Sequence, residues 1–224
     1  MGIISKLLRR RTPEQVAEEL AAANLEKRTA KQVKVITYAP GDGIKSAVVR
    51  NPNFTLFTND AADCNVLYAG NRQSFGIAHI SSHVLEGKEM LVELKDKRIG
   101  LHLTTLLRRL ITSGPEYESC SLTTVSEPLT EEERTKIKEQ RTKIKVFAGD
   151  TGLALQLADR FRNPVVDCEQ NKDYRYPKLP VEIYLFGDRG KKDIFANIDD
   201  FFIKGDKVVQ GSLNAQKYLW KTYD

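Results

Sequence analysis

Val66-Leu67-Tyr68-Ala69-Gly70-Asn71-Arg72-Gln73-Ser74-Phe75-Gly76-Ile77-Ala78-His79-Ile80 consists of two short apolar runs on either side of a Gly-Asn-Arg turn. Runs this short, bounded by turn-forming residues, favour strands over helices, and the tight return predicts a hairpin. The same signals continue upstream. Residues 33–38, 44–50 and 54–58 are rich in β-branched and aromatic side chains and are separated by Pro40-Gly41-Asp42-Gly43 and Asn51-Pro52-Asn53.

Helical periodicity takes over downstream. Over residues 101–111, Leu103, Leu106, Leu107 and Leu110 share one face, and Ser113-Gly114-Pro115 supplies the stop. A strand is predicted at 119–125, and Thr130-Glu131-Glu132-Glu133 has the form of a capping box opening a charged helix. Residues 145–150, 153–161 and 164–168 then read as strand, helix and strand. Pro177 and Pro180 punctuate a polar loop before a strand at 181–186, Gly187-Asp188-Arg189-Gly190 turns the chain, and a last strand is expected at 207–210. At the front, Thr12-Pro13-Glu14-Gln15 is a helix start, with an apolar stripe running to about residue 26. The pattern predicts a single-domain α/β sandwich with mixed or antiparallel sheets flanked by helices. Residues 1–30 form a basic segment and amphipathic helix ahead of one domain over 31–224.

Composition narrows the classes. The 224 residues are 41% hydrophobic and 29% charged, a globular balance that excludes disordered and collagen-like chains. No run approaches the ~20 apolar residues of a membrane-spanning helix. Of the 35 basic residues, Lys6, Arg9, Arg10 and Arg11 make up a short acid-free stretch, so the rest of the chain carries 31 against 30 acidic residues. A terminal basic tag suits contact with an anionic membrane surface, and no specific nucleic-acid binding is expected from it. Tyr174-Arg175-Tyr176 is the one local aromatic-basic cluster and reads as a surface loop. Gly2 begins a myristoylation-like start, but Lys6 stands where that motif has Ser or Thr. Cys64, Cys120 and Cys168 have wide, unlike spacings that match neither a disulfide framework nor a Cys-x-x-Cys zinc site, so a reducing, cytoplasmic compartment is expected.

The residue types that carry chemistry cluster around residues 58–79. Cys64 is followed after fifteen residues by His79 and preceded by Thr58. A thiol nucleophile needs an imidazole to take its proton and return one to the leaving group, and a third group to hold that imidazole in place. On the residues alone a second reading stays open, in which Cys64 is a small buried apolar residue and His79 a hydrogen-bonded strand residue. His79 and His83 form H-x-x-x-H, but Ile80 replaces the glutamate of a zinc-protease helix, and neither metal nor cofactor is predicted. Cys120, Cys168 and His102 read as structural.

These residues resemble the bacterial chemoreceptor glutamine deamidases (CheD), whose fold and Cys-His site are shared by the cytotoxic necrotizing factor toxins. Thr58 stands six residues ahead of Cys64, as the family's threonine does before its cysteine, and Gly76-Ile77-Ala78-His79 matches a Gly-x-Ala-His tetrad. The interval from Cys64 to His79 is similar to that of the toxins. Lys145-Val146-Phe147-Ala148-Gly149, Pro164-Val165-Val166 and Gly187-Asp188-Arg189-Gly190-Lys191-Lys192 follow in the family's order, so the resemblance spans residues 54–195 in short blocks. Two blocks depart from it. Ala62-Asp63 replaces a small Gly-Ser or Ser-Gly pair, and Ser81-Ser82-His83 replaces Leu-Pro after the histidine.

The resemblance implies hydrolysis of a protein glutamine side chain through a Cys64 thioester, with His79 as general acid and base and Thr58 orienting it. It implies a protein substrate, no cofactor, and an effector or toxin role with delivery by a specialised route. Transglutamination would use an amine in place of water. Two other readings stand beside it: an interaction module that keeps the scaffold without turnover, favoured by Asp63, and a nucleic-acid or membrane-surface binder working through the basic tag.

Overall fold

The computed structural model describes residues 33–36, 44–61, 64–80, 92–120, 127–163, 176–185, 199–214 and 217–224. The predicted hairpin is its centre. β4 (Asn65–Gly70) and β5 (Phe75–Ile80) pair antiparallel, with Asn65 opposite Ile80 and Gly70 opposite Phe75. Asn71 closes the turn: its side-chain oxygen accepts from the Gln73 and Ser74 amides at 2.8 and 2.9 Å. Such side-chain turns are what make asparagine a frequent turn residue.

Every residue of both strands is buried, because the sheet they centre is covered on both faces. That sheet has the order β6-β2-β5-β4-β7-β8, formed with β2 (Ile44–Val49), β6 (Tyr117–Cys120), β7 (Lys143–Ala148) and β8 (Val181–Leu185). Only β7 and β8 run parallel in it. The second sheet has the order β1-β3-β9-β10-β11, from β1 (Val33–Ile36), β3 (Thr55–Ala61), β9 (Asp199–Lys204), β10 (Lys207–Asn214) and β11 (Lys217–Tyr223). Here β1 and β3 run parallel and the other neighbours antiparallel. The fold is therefore a mixed α/β sandwich, the class expected.

Alternate residues of β4 serve two cores, as the two-residue period of a strand requires. Val66 and Tyr68 join Ile77, Leu56, Phe147, Phe201 and Ile203 between the sheets. Leu67 and Ala69 face the other way, with Ala78, Ile80, Leu103, Leu106, Leu107 and Phe161 under the helices. α1 (Val92–Ile111) lies over β2 and β5, α2 (Glu131–Glu139) packs on α1, and α3 (Thr151–Arg162) lies over β7 and β8. Gly76 lets α1 come close: a Cβ there would stand 2.6 Å from the Ala47 carbonyl oxygen and 2.8 Å from Leu106.

Three helix ends are chemically closed. Thr130 and Glu133 make both bonds of the capping box, at 3.1 and 2.8 Å, and Asp150 caps α3 by accepting from the Leu153 amide at 3.0 Å. At the end of α1, Arg50 donates to the carbonyls of Arg109, Thr112 and Pro115 at 2.6, 3.0 and 2.8 Å. It thereby satisfies acceptors that a helix terminus leaves without intrahelical partners.

Three differences from the sequence expectation stand out. α1 begins at Val92, not at 101, because Glu93-Leu94-Lys95-Asp96-Lys97-Arg98 and Gly100 obscure the apolar period of its first turns. β6 begins at Tyr117, two residues early, and residues 121–126 lie outside the described residues. β9 and β11 were not foreseen. The predicted helix at 12–26, the turns at 40–43 and 187–190, the strand at 164–168 and the basic tag at residues 6–11 also fall outside the described residues.

Candidate active site

Cys64 immediately precedes β4, and His79 lies near the end of β5, opposite Val66. Directly opposed residues of an antiparallel pair share a face, and so do residues two apart along a strand. Val66 faces the second sheet, which puts His79 on that face, and Cys64 belongs to the same intersheet core. The cysteine and histidine are thus diagonal neighbours at one end of the hairpin, a relation with a typical spacing of roughly 7–8 Å between backbones.

Thr58 approaches from the facing sheet. Its Oγ1 lies 2.7 Å from His79 Nδ1. β3 has a register shift against β9 between Thr58 and Ala61, so the irregularity begins where the threonine meets the imidazole. Bulges of this kind re-aim side chains and are frequent beside active sites. The structure puts Thr58 and His79 in direct contact, and Cys64 belongs to the intersheet core on that side of the sheet.

Burial sets the state of the imidazole. His79 is 0% exposed, and desolvation lowers its pKa from 6.5 to about 4. At neutral pH the ring is uncharged, with one N–H and one acceptor nitrogen. With its proton on Nδ1 it donates to Thr58 Oγ1 and keeps Nε2 as a base; the other tautomer accepts the Thr58 hydroxyl proton and carries an Nε2–H. Cys64 is 8% exposed and is a thiol, not half of a disulfide.

Asn65 was missed in the sequence. Its side-chain oxygen accepts from the amides of Gly149 and Asp150 at 2.9 and 3.0 Å, and its Nδ2 donates to the Asp150 carbonyl at 3.1 Å. The Gly149 amide also donates to the Cys64 carbonyl at 3.1 Å. These bonds tie the Cys64-Asn65 backbone to the turn between β7 and α3, whose N-cap is Asp150. The only local hint was an asparagine next to the cysteine, since its partners lie some 85 residues away.

Cys120 lies on the opposite face of the same sheet, under α1, and His102 reaches toward Ser46 on that face from α1 itself. Burial pushes the Cys120 thiol up to about 11. Ala62, Asp63, His83 and Cys168 lie outside the described residues. Among the described residues, no three His, Cys, Asp or Glu side chains gather as a metal site, and no helix is long and apolar enough to cross a membrane.

The fold and site define a two-sheet α/β sandwich backed by helices, with a threonine–histidine contact and a cysteine at one end of its sheet interface. No family model and no curated protein sequence matches the chain. Among solved structures it is similar to the C-terminal domain of CNFy from Yersinia pseudotuberculosis, with a TM-score of 0.33 and 10% identity. The match covers 85% of this chain and 62% of that domain, so the chain spans less than two thirds of its length.

Proposed function

We propose that the protein is a cysteine-dependent amide hydrolase that converts a glutamine side chain of another protein to glutamate. The observation that carries this reading is the 2.7 Å contact between Thr58 Oγ1 and His79 Nδ1, on the sheet face that also holds Cys64. The glutamine preference rests on the sequence resemblance.

In this mechanism Thr58 holds the ring with its proton on Nδ1, and neutral Nε2 takes the Cys64 proton as sulfur attacks the amide carbonyl. The resulting imidazolium protonates the departing nitrogen, which leaves as ammonia with a thioester behind it. Nε2 then deprotonates a water that attacks the thioester; the carbon–sulfur bond breaks and the proton returns to sulfur. The balance is carboxamide plus water to carboxylate plus ammonium. Because burial keeps His79 uncharged at rest, charge separates only during the reaction, in a dry setting where hydrogen bonds to developing charge count most. Catalysis in a reducing, cytoplasmic setting fits a thiol nucleophile, and the basic tag of Lys6, Arg9, Arg10 and Arg11 would add weak contact with anionic membranes.

The low exposure of Cys64 and His79 favours a second reading, an interaction module without turnover. Incubation with a proteome of glutamine-containing proteins separates the two. Ammonia release with Gln-to-Glu conversion, lost in Cys64→Ala, supports the hydrolase; specific capture of a protein with no ammonia above the Cys64→Ala background supports the module.

A further inference from the structure

The far end of the same strands carries a cleft that the thiol chemistry does not use. β4 begins at Asn65 beside Cys64 and ends at Gly70, so roughly 16 Å of strand separates the two ends at about 3.3 Å per residue. At the Gly70 end a cleft of about 520 Å³ opens between the β4–β5 turn, the start of β7 and the β9–β10 turn. Its floor is a bridge between the sheets: the Tyr68 hydroxyl donates to the Gly205 carbonyl at 3.1 Å. The phenol lies across Gly70, where a Cβ would stand 2.0 Å from its oxygen, and Gly205 turns the opposing hairpin with φ +62.

Arg72, Arg141 and Lys143 line this cleft with exposed side chains, and Asp206 is its one acidic residue. Arg50, Arg108, Arg109 and Arg134 are each paired with a glutamate. Among the described residues, by contrast, the side chains of Arg72, Arg141 and Lys143 make no ion pair or hydrogen bond. Among the residues that line the cleft, three cations face one acid, a net +2. Arg141 takes φ 55 as the residue that ends α2: its amide donates to the Lys138 carbonyl at 2.9 Å and the Thr142 amide to the Ile137 carbonyl at 3.3 Å, which closes the helix C-terminus.

From this geometry we propose that the cleft binds a phosphate-bearing small molecule. A phosphate monoester carries about −1.5 to −2 charge at neutral pH, which the local excess of +2 matches. Guanidinium groups engage its oxygens in paired hydrogen bonds while the lysine adds a point charge. A net positive cleft also concentrates its counter-ion. The site is independent of the Cys64 reaction. A phosphorylated lipid headgroup presents the same chemistry, so the test includes both sources.

Isothermal titration of the full chain with inorganic pyrophosphate is expected to show saturable binding, weakened at least tenfold by the combined Arg72→Gln, Arg141→Gln and Lys143→Gln changes. A control carrying Lys136→Gln, Lys138→Gln and Lys178→Gln removes the same charge from exposed positions elsewhere and is expected to bind as the parent does. Circular dichroism of both triple variants should match the parent. Sedimentation with phosphatidylcholine vesicles containing phosphatidylinositol 4-phosphate tests the headgroup; co-sedimentation lost only in the cleft triple supports the site with lipid as the source. Equal weakening in both triples, or no saturable binding to either probe, overturns the proposal.

Discussion

The two faces of the six-stranded sheet each meet a Cys, His and hydroxyl group of nearly the same inventory, and the two groups are built for different ends. Thr58, Cys64 and His79 lie at the intersheet face, where the hydroxyl meets the imidazole at 2.7 Å beside a bulge. Ser46, Cys120 and His102 lie at the helix-facing side, where the hydroxyl and imidazole are 3.4 Å apart and the thiol is held protonated by burial. The first cysteine sits just before β4; the second is the last residue of β6 and is packed in the apolar core beneath α1. What separates a candidate nucleophile from a core thiol is therefore the face of the sheet and a short contact that orients the base, not residue type.

The comparison breaks most readily at the nucleophiles. Cys64→Ala is expected to lower ammonia release by at least about a thousandfold, the scale seen when an enzyme loses its nucleophile, whereas Cys120→Ala should leave the specific activity of folded protein unchanged. A coupled ammonia assay on equal amounts of folded protein checks both. Next in size, His79→Ala should cost about 10²–10⁴-fold, the usual worth of a general acid–base group, while His102→Asn should cost little activity; steady-state kinetics on the same protein substrate measures the pair.

The buried base also leaves a pH signature in stability. His79 has a pKa near 4 in the folded chain against 6.5 for an unperturbed histidine, so between those values the unfolded state binds more protons. Stability is then full above pH 6.5, falls as pH drops toward 4 and is flat in this respect below it, by up to about 3 kcal/mol in all. Urea unfolding from pH 7 to 4 should show this slope in the parent and lose it in His79→Gln; an unchanged slope would remove the buried neutral imidazole from the account. Asn65→Ala comes next, at about 1 kcal/mol, because it removes the acceptor of the part-buried Asp150 amide; the same urea titrations at pH 7 measure it. Thr58→Val keeps the shape and removes one hydroxyl, for about a tenfold loss in kcat with the fold intact, the worth of one hydrogen bond. Ser46→Ala in the second group should change kcat not at all.

Much of this was legible in the sequence for local reasons. The β4–β5 hairpin and the Thr130 capping box announce themselves within a few residues, since each turn or cap satisfies its own backbone, and the helix over 153–161 shows its apolar period, though not its Asp150 cap. Thr58, Cys64 and His79 were nameable because their residue types and spacing resemble a known pattern, yet the contact that joins Thr58 to His79 crosses between two sheets. Asn65 and Arg50 stayed invisible for the same reason: their partners are 59 to 85 residues away. β11 was missed although Tyr218, Leu219, Trp220 and Tyr223 have strand-forming types, because no turn signal marked its start. α1 was half seen, its charged first turns hiding the period that its leucines display.

The most direct measurement is site-resolved alkylation with iodoacetamide across pH, read by mass spectrometry in the parent and in His79→Ala. Cys64 is expected to react much faster than Cys120 near neutral pH and to lose most of that advantage without His79. Equal rates at Cys64 and Cys120, or a Cys64 rate indifferent to His79, would contradict the proposed Cys64–His79 pair.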